Sequence, residues 1–253
     1  MRAEKHLARA FDVSVVVSEA EADLFRQSVS SSEHVESVEN GVDCEFFDPC
    51  LSYENPYSQS QTLVFTGAMD YAANVDAVTW FAGEVFPRVR ARVPDTEFYV
   101  VGSRPTSEVK RLAQQPGIVV TGRVADVRPY LAHAAAAVTP LRMARGVQNK
   151  VLEALAMDLP VLATPQAVQG LTNAMHVIDV VSEDPDKLAR GAIVCLTQLH
   201  ETRSEVRRCY VQANYSWHRS VGRMAALLNG EATLRGYVNE VECLANDAVD
   251  VAV

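Results

Sequence analysis

From Gln61 to about Asp184, short apolar runs rich in β-branched residues alternate with stretches of helical periodicity, and little chain separates them. That alternation predicts an α/β fold, a doubly wound parallel sheet covered by helices on both faces. The expected strands are Thr62–Thr66, Glu97–Gly102, Ile118–Thr121, Ala135–Thr139, Pro160–Thr164 and His176–Val181. A helix is expected from Asn74, where Val78, Phe81, Val85 and Val89 follow helical spacing and Pro87 predicts a kink or restart. Further helices are expected over Thr106–Gln114, from an Asp126 cap to about His133, from about Gln148, and through Asp184 to about Asn229.

Two flanking segments stand apart. Residues 13–17 predict a short buried strand, and Ser18-Glu-Ala-Glu21 has the pattern of a capping box, giving a lone strand-to-helix unit. Asn40-Gly41 marks a turn, and Ser52–Gln61 reads as a polar linker. The expected organisation is an N-terminal piece over 1–50, a sheet domain over 51–230 and an acidic tail over 231–253. In the tail, Leu234, Val238, Val241 and Leu244 lie at helical spacing.

Ligands of doubly wound sheets sit beyond the carboxyl ends of the strands. Gly67, Gly102 with Ser103, Gly122 with Arg123, and Arg142 to Gly146 all fall at that edge. Each glycine alone is more often a plain turn residue; their convergence is what points to a site. The last group opens the helix at Gln148. The first amides of a helix have no internal acceptor and the dipole is positive there, which suits a phosphate. Arg142, Arg145 and Lys150 add full charges, and Glu153, about a turn and a half further in, is placed to accept from ribose hydroxyls. The alternative is that polar residues there simply cap a buried helix.

Other chemistries fit poorly. A formal net charge of −9 argues against a general nucleic-acid binder. The loop after the first sheet strand lacks the further glycines of a dinucleotide fingerprint, and neither a GxxxxGK[ST] run nor an HExxH or GxSxG motif occurs. Five cysteines show no CxxC pair or zinc spacing, so they are read as reduced thiols, and no metal site is expected. No stretch approaches a membrane span, and no signal peptide is apparent, so a cytoplasmic protein is expected, with peripheral contact at the inner membrane face left open.

Several runs, in one order, resemble the C-terminal, donor-binding half of group 1 glycosyltransferases of the GT-B fold. The family-4-like, retaining enzymes of bacterial exopolysaccharide and exosortase systems are the nearest in pattern. The runs are Val15-Val-Val-Ser-Glu-Ala-Glu21, Asn40-Gly-Val-Asp43, Phe65-Thr-Gly-Ala-Met-Asp-Tyr71 with Asn74-Val-Asp76, Phe98-Tyr-Val-Val-Gly102, Thr121-Gly-Arg-Val124, Ala144-Arg-Gly-Val-Gln-Asn-Lys-Val-Leu-Glu-Ala154 and Tyr215-Ser-Trp217.

The resemblance implies a Rossmann-like domain, joined to a remnant of an N-terminal acceptor domain. It implies transfer of a sugar from a UDP- or GDP-linked donor to a saccharide or lipid-linked acceptor, in polysaccharide or glycoconjugate synthesis. No cofactor or metal is implied, and a separate N-terminal acceptor domain is an implied partner. The family's ribose-binding Glu maps onto Glu153. Its sugar-contacting Glu maps onto Arg145, a departure that suits phosphate or an acidic sugar. The Arg and Lys that the family places after the first sheet strand are replaced by Ala68 and Ala73, so cationic assistance is expected from Arg142, Arg145 and Lys150. The catalytic set is therefore Arg145, Lys150 and Glu153. The nucleotide-sugar set is Gly67, Arg123, Val124, Arg142, Gly146, Val147, Gln148, Asn149 and Val151, with Arg123 or Val124 near the base. A sugar-nucleotide epimerase of the same fold and a non-catalytic nucleotide-sugar-binding fragment are the alternatives.

Overall fold

The computed structural model describes residues 11–28, 35–58, 61–144, 146–198 and 205–230. A six-stranded parallel sheet forms its centre, built from β3 (Thr62–Thr66), β4 (Glu97–Val101), β5 (Ile118–Gly122), β6 (Ala136–Thr139), β7 (Val161–Ala163) and β8 (Val180–Val181). Their spatial order, β5-β4-β3-β6-β7-β8, is that of a doubly wound sheet. The chain winds outward from β3 in one direction, then returns to β6 beside it and winds the other way. Direction reverses between β3 and β6, where Leu63 lies opposite Ala136 and Val64 opposite Ala137.

Every residue of β3 and β6 is buried, as strands covered on both faces require. On one side lie α2 (Ala72–Trp80), α3 (Phe86–Arg90), α4 (Ser107–Leu112) and α8 (Pro185–Thr197). On the other, α6 (Asn149–Ala156) packs on α9 (Val206–Tyr215). Phe81 and Phe86 meet Phe98 of β4 with ring centroids 4.8 and 5.7 Å apart, which anchors the first layer. Between α2 and α3 the backbone loosens into a π-helical turn, Phe81–Val85. Pro87 has no N–H to continue the i→i−4 ladder, and the wider turn absorbs the interruption expected at that residue. Thr106 caps α4 by accepting from the Val109 amide. Short α5 (Arg128–His133) begins after Val127 rather than after Asp126, whose carboxylate instead accepts from the amide and guanidinium of Arg128.

Two expectations change at the N-terminus and the far edge. The run at 13–17 is not a lone buried strand: β1 (Ser14–Val16) pairs in parallel with an unforeseen β2 (Val35–Ser37), and Val15 and Val17 are exposed. Among the described residues the sheet they form has two strands. The intervening α1 (Glu19–Ser28) starts as expected, with Ser18 Oγ accepting from the Glu21 amide. At the other edge, β8 is two residues long, because Ala174–His176 turns into a 3-10 helix before the strand begins. Helix α7 (Pro165–Val168) is a single turn after β7.

Helix α10 (Trp217–Leu228) returns the chain to the N-terminal piece. Val42 bridges Ser216, a Cβ on Gly41 would come within 2.7 Å of the Trp217 backbone, and Arg223 pairs with Glu36 at 3.2 Å. Gly41 is therefore required by close approach rather than by a turn. The tail helix expected around Leu234–Leu244 lies outside the described residues.

Candidate functional site

Helices α2 and α6 follow β3 and β6, so both begin over the point where the sheet reverses direction. In doubly wound sheets the crevice that receives ligands lies at such a point, beyond the carboxyl ends of the strands. The floor on one side is made by Gly67 and Gly102. A Cβ on Gly102 would lie 1.6 Å from the Gly67 carbonyl oxygen, so the loops after β3 and β4 touch only because this residue has none. The Gly67 amide donates to Val101 O at 3.0 Å, and Met69 N to Ser103 O at 2.8 Å.

The other side is the expected phosphate loop. Gly146 adopts φ +65°, and a Cβ there would meet nothing within 4 Å, so its backbone is left-handed and open to an incoming group. Gly170 closes on it from below, where a Cβ would come within 2.5 Å of Gly146 O, and Gln169 Nε2 donates to Ala144 O at 2.8 Å. Gln148 is the N-cap of α6 but gives no side-chain cap bond, and the first turn holds no acid. Helices α8 and α10, by contrast, are capped by Asp184 and Ser216. The positive end of α6 is thus left to face the crevice.

Lys150, in the first turn of α6, reaches across to α2. Its Nζ donates to Asn74 Oδ1 at 2.9 Å and lies 5.2 Å from the centroid of the Phe65 ring. Burial pulls its pKa down to about 8, opposed only in part by Glu153. Burial also raises the Glu153 carboxyl above its ordinary value, and Lys150 opposes that rise. The two form a half-buried acid and base on one helix, just beyond the Gly146 turn.

The remaining assigned residues divide. Val147 and Val151 point into the core, so they offer the crevice backbone only. Asn149 is exposed, and its Oδ1 accepts from Asn40 Nδ2 at 3.3 Å, which ties the N-terminal loop to the start of α6. Gly122 adopts φ +69° at the end of β5, with exposed Arg123 and half-buried Val124 behind it. They lie three strand positions from β6, on the order of 14 Å at ordinary sheet spacing. That is a separation a nucleoside diphosphate can span. Arg142 is turned aside from the crevice: its guanidinium pairs with Asp76 of α2, with Nε 3.0 Å from Oδ2, and lies 5.7 Å from the Trp80 ring. Arg145 lies outside the described residues. Asn74 and Asp76 were absent from the sequence assignments. The available signal was two polar residues in the first turns of a helix that is otherwise apolar on entry.

Among the described residues, no three His, Cys, Asp or Glu side chains gather where a metal ion could be held, and no helix is long and apolar enough to cross a membrane.

The fold is shared with solved glycosyltransferase structures. The chain is similar to a glycosyltransferase from Rickettsia africae (TM-score 0.68, 17% identity, covering 87% of this chain and 63% of that one). It is similar to HepE of Anabaena in complex with UDP and glucose (TM-score 0.66, 15% identity, 90% and 66%). It is also similar to sucrose-phosphate synthase of Thermosynechococcus elongatus (TM-score 0.66, 18% identity, 90% and 60%). The chain thus spans between 60% and 66% of the length of these three proteins. No curated protein sequence matches it. The sheet order and these likenesses are those of the Rossmann-like half of a GT-B fold, as the sequence resemblance implied. The sequence profile described as "Glycosyl transferases group 1" matches residues 60–198, more than half of the chain and all of the sheet, and on that match the chain belongs to this family.

Proposed function

We propose that this chain is the donor-binding half of a glycosyltransferase that moves a sugar from a UDP- or GDP-linked donor to a saccharide or lipid-linked acceptor in bacterial polysaccharide or glycoconjugate synthesis. One observation carries the reading. The uncapped N-terminus of α6, the open left-handed turn at Gly146 and the Lys150 ammonium converge on the crevice between β3 and β6, with Glu153 behind them. UDP in the Anabaena neighbour supports a nucleoside diphosphate as the occupant.

In this reading the α6 amides, the Gly146 loop and Lys150 receive the diphosphate. Glu153 accepts from the ribose, and the base extends toward Arg123 and Val124. Gly67, Val147, Gln148, Asn149 and Val151 line the path, chiefly through backbone. Arg142 joins only by leaving Asp76, and Arg145 is assigned to the sugar or the phosphates on the sequence resemblance alone. Transfer breaks the bond between the anomeric carbon and the diphosphate oxygen and forms one to an acceptor oxygen. The acceptor proton leaves with the diphosphate. Positive charge already in place stabilises the leaving group without a metal, which suits retention.

A further partner belongs to the proposal. Val15 and Val17 of the two-stranded sheet are exposed, as are Trp217, Val221, Met224 and Leu228 of α10. An acceptor domain that extends β1–β2, on this chain or another, would cover them. The free thiols Cys44, Cys50, Cys195 and Cys209 fit a cytoplasmic setting, with contact at the inner membrane face through the acceptor.

Calorimetric titration with UDP, GDP and ADP and their sugar conjugates tests the donor site. Selective binding that falls at least tenfold in Glu153→Ala is expected. Equal affinity in that variant would remove the ribose from Glu153, and no binding by any nucleotide would remove the donor site from this chain.

A further inference from the structure

Asn74 is 4% exposed although it stands at the mouth of the crevice, in the first turn of α2. Its Nδ2 donates to Ala68 O at 2.9 Å, and its Oδ1 accepts from Lys150 Nζ at 2.9 Å. The orientation of the amide is fixed by chemistry. A backbone carbonyl only accepts and an ammonium only donates, so the nitrogen must face Ala68 and the oxygen Lys150. Gly67 makes room for the arrangement: a Cβ there would lie 2.8 Å from Asn74 Nδ2 and 3.4 Å from Lys150 Cε.

The bond joins the two halves of the sheet where their order reverses, since Asn74 follows β3 and Lys150 follows β6. Its chemistry matters as much as its place. A carboxylate in this position would neutralise Lys150, whereas an amide holds the ammonium and leaves its charge whole. The charged group acting on Lys150 is Glu153, on its own helix. Beside it, α2 contributes the neutral amide and β3 the Phe65 ring, while Asp76 of α2 is engaged by Arg142. An ammonium has three donors. With one on Asn74, two remain for other acceptors.

We infer that Asn74 is a positioning residue of the donor site, which fixes the Lys150 ammonium over the β3–β6 crevice as an un-neutralised charge for the donor's diphosphate. The inference rests on the reading of that crevice as the donor site. It goes beyond it in naming the residue that sets the geometry and charge of the cation. The competing role is purely structural: Asn74 would tie down the loop at Ala68 and nothing more.

A double-mutant cycle on the full chain separates the two roles. UDP affinity is measured by calorimetry for the wild type, Asn74→Ser, Lys150→Met and the double variant. In parallel, Lys150, one of four lysines in the sequence, is titrated in nucleotide-free protein by 13C-methyl NMR after reductive methylation. Asn74→Ser is expected to weaken UDP binding about tenfold when Lys150 is present and not further when it is Met. Asn74→Asp is expected to raise the titration midpoint of Lys150 by about one unit or more and to weaken UDP as well.

Wild-type affinity and midpoint in Asn74→Ser would overturn the inference, as would an equal loss of affinity in the Lys150→Met background. A Ser variant that no longer melts cooperatively would also count against it, because Asn74 would then belong to the fold rather than the site. If the wild type binds neither UDP nor GDP, the donor-site reading fails instead. The nucleotide-free titration would still show whether Asn74 governs Lys150.

Discussion

Burial draws the Lys150 ammonium down to about 8 because its charged form loses hydration that nearby groups replace only in part. Between pH 8 and its ordinary 10.5, the unfolded chain binds a proton at this site that the folded protein does not, so the site's contribution to stability rises with pH across that window. Below pH 8 the full cost of the buried charge is present, up to about 3 kcal/mol at 1.36 kcal/mol per unit. Lys150→Met also removes the charge that opposes the rise at Glu153, so the expected net gain at pH 7 is about 1–2 kcal/mol, shrinking as pH increases toward 10. Urea unfolding at several pH values measures it. UDP affinity should move the other way, lost in the variant and, in the wild type, declining as pH passes through about 8. Two glycines give a second contrast at this scale. Gly102→Ala places a Cβ 1.6 Å from a backbone oxygen and is expected to abolish folding, whereas Gly146→Ala meets no atom and bears only the strain of φ +65°. It should fold with a loss of about 1–2 kcal/mol and bind UDP more weakly, as thermal melts and calorimetry together would show.

Helix α9 is held to the sheet by a buried cation. Arg207 lies between Asp179, with Nη2 2.5 Å from Oδ1, and Asp158, with Nη1 3.5 Å from Oδ1; Asp179 also accepts from the Val161 amide at the start of β7. Arg207→Met would leave two carboxylates inside the fold without their cation and should cost about 3–5 kcal/mol, read as a lower urea midpoint. Recovery in Arg207→Met with Asp179→Asn would show that uncompensated charge, not lost packing, is the cause. The same element shows what periodicity misses. Strands β3, β4, β6 and β7 were legible because both faces are buried, which turns each into an apolar run, and the partly exposed edge strand β5 was legible from the β-branched run Ile118-Val-Val-Thr121. The sixth run was expected from His176, but the edge of T-shaped His176 on Tyr210 and the Asp179–Arg207 pair belong to contacts with α9, and only Val180–Val181 remain to pair. β2 was missed since three residues, one of them charged, carry too little pattern. In the candidate site, the glycines were readable as strand-end residues, and Lys150 and Glu153 as members of the helix that opens after Gln148. Asn74 on Lys150 and Asp76 on Arg142 were not, because pairings 76 and 66 residues apart leave no trace in local spacing.

In the molecule as a whole, α10 carries a stripe of exposed apolar side chains, while Tyr71 and Met143 are exposed on the loops at the crevice. On α10, Trp217, Val221, Met224 and Leu228 recur at i, i+4, i+7 and i+11, which places them on one face, 37–80% exposed. That helix is tied to β2 through Arg223 and Glu36 and sits on the loop at Gly41. Its stripe therefore runs beside a sheet that has two strands among the described residues. A net charge of −9 keeps copies apart, but contiguous apolar surface of this kind ordinarily marks a docking face. The isolated chain should consequently bind an apolar dye and self-associate in sedimentation velocity as its concentration and the salt are raised. Val221→Lys with Leu228→Lys should suppress both effects and leave UDP affinity within about twofold, since both residues are exposed on α10 whereas α6 packs on α9. Covering the same face with an acceptor domain is expected to leave UDP affinity nearly unchanged while bringing transfer, because the proposed donor site lies at α6 and not on this face. A wild-type chain that stays monomeric and dark to the dye would mean instead that the stripe is already covered within the chain, and the acceptor would then have to enter from another face of the crevice.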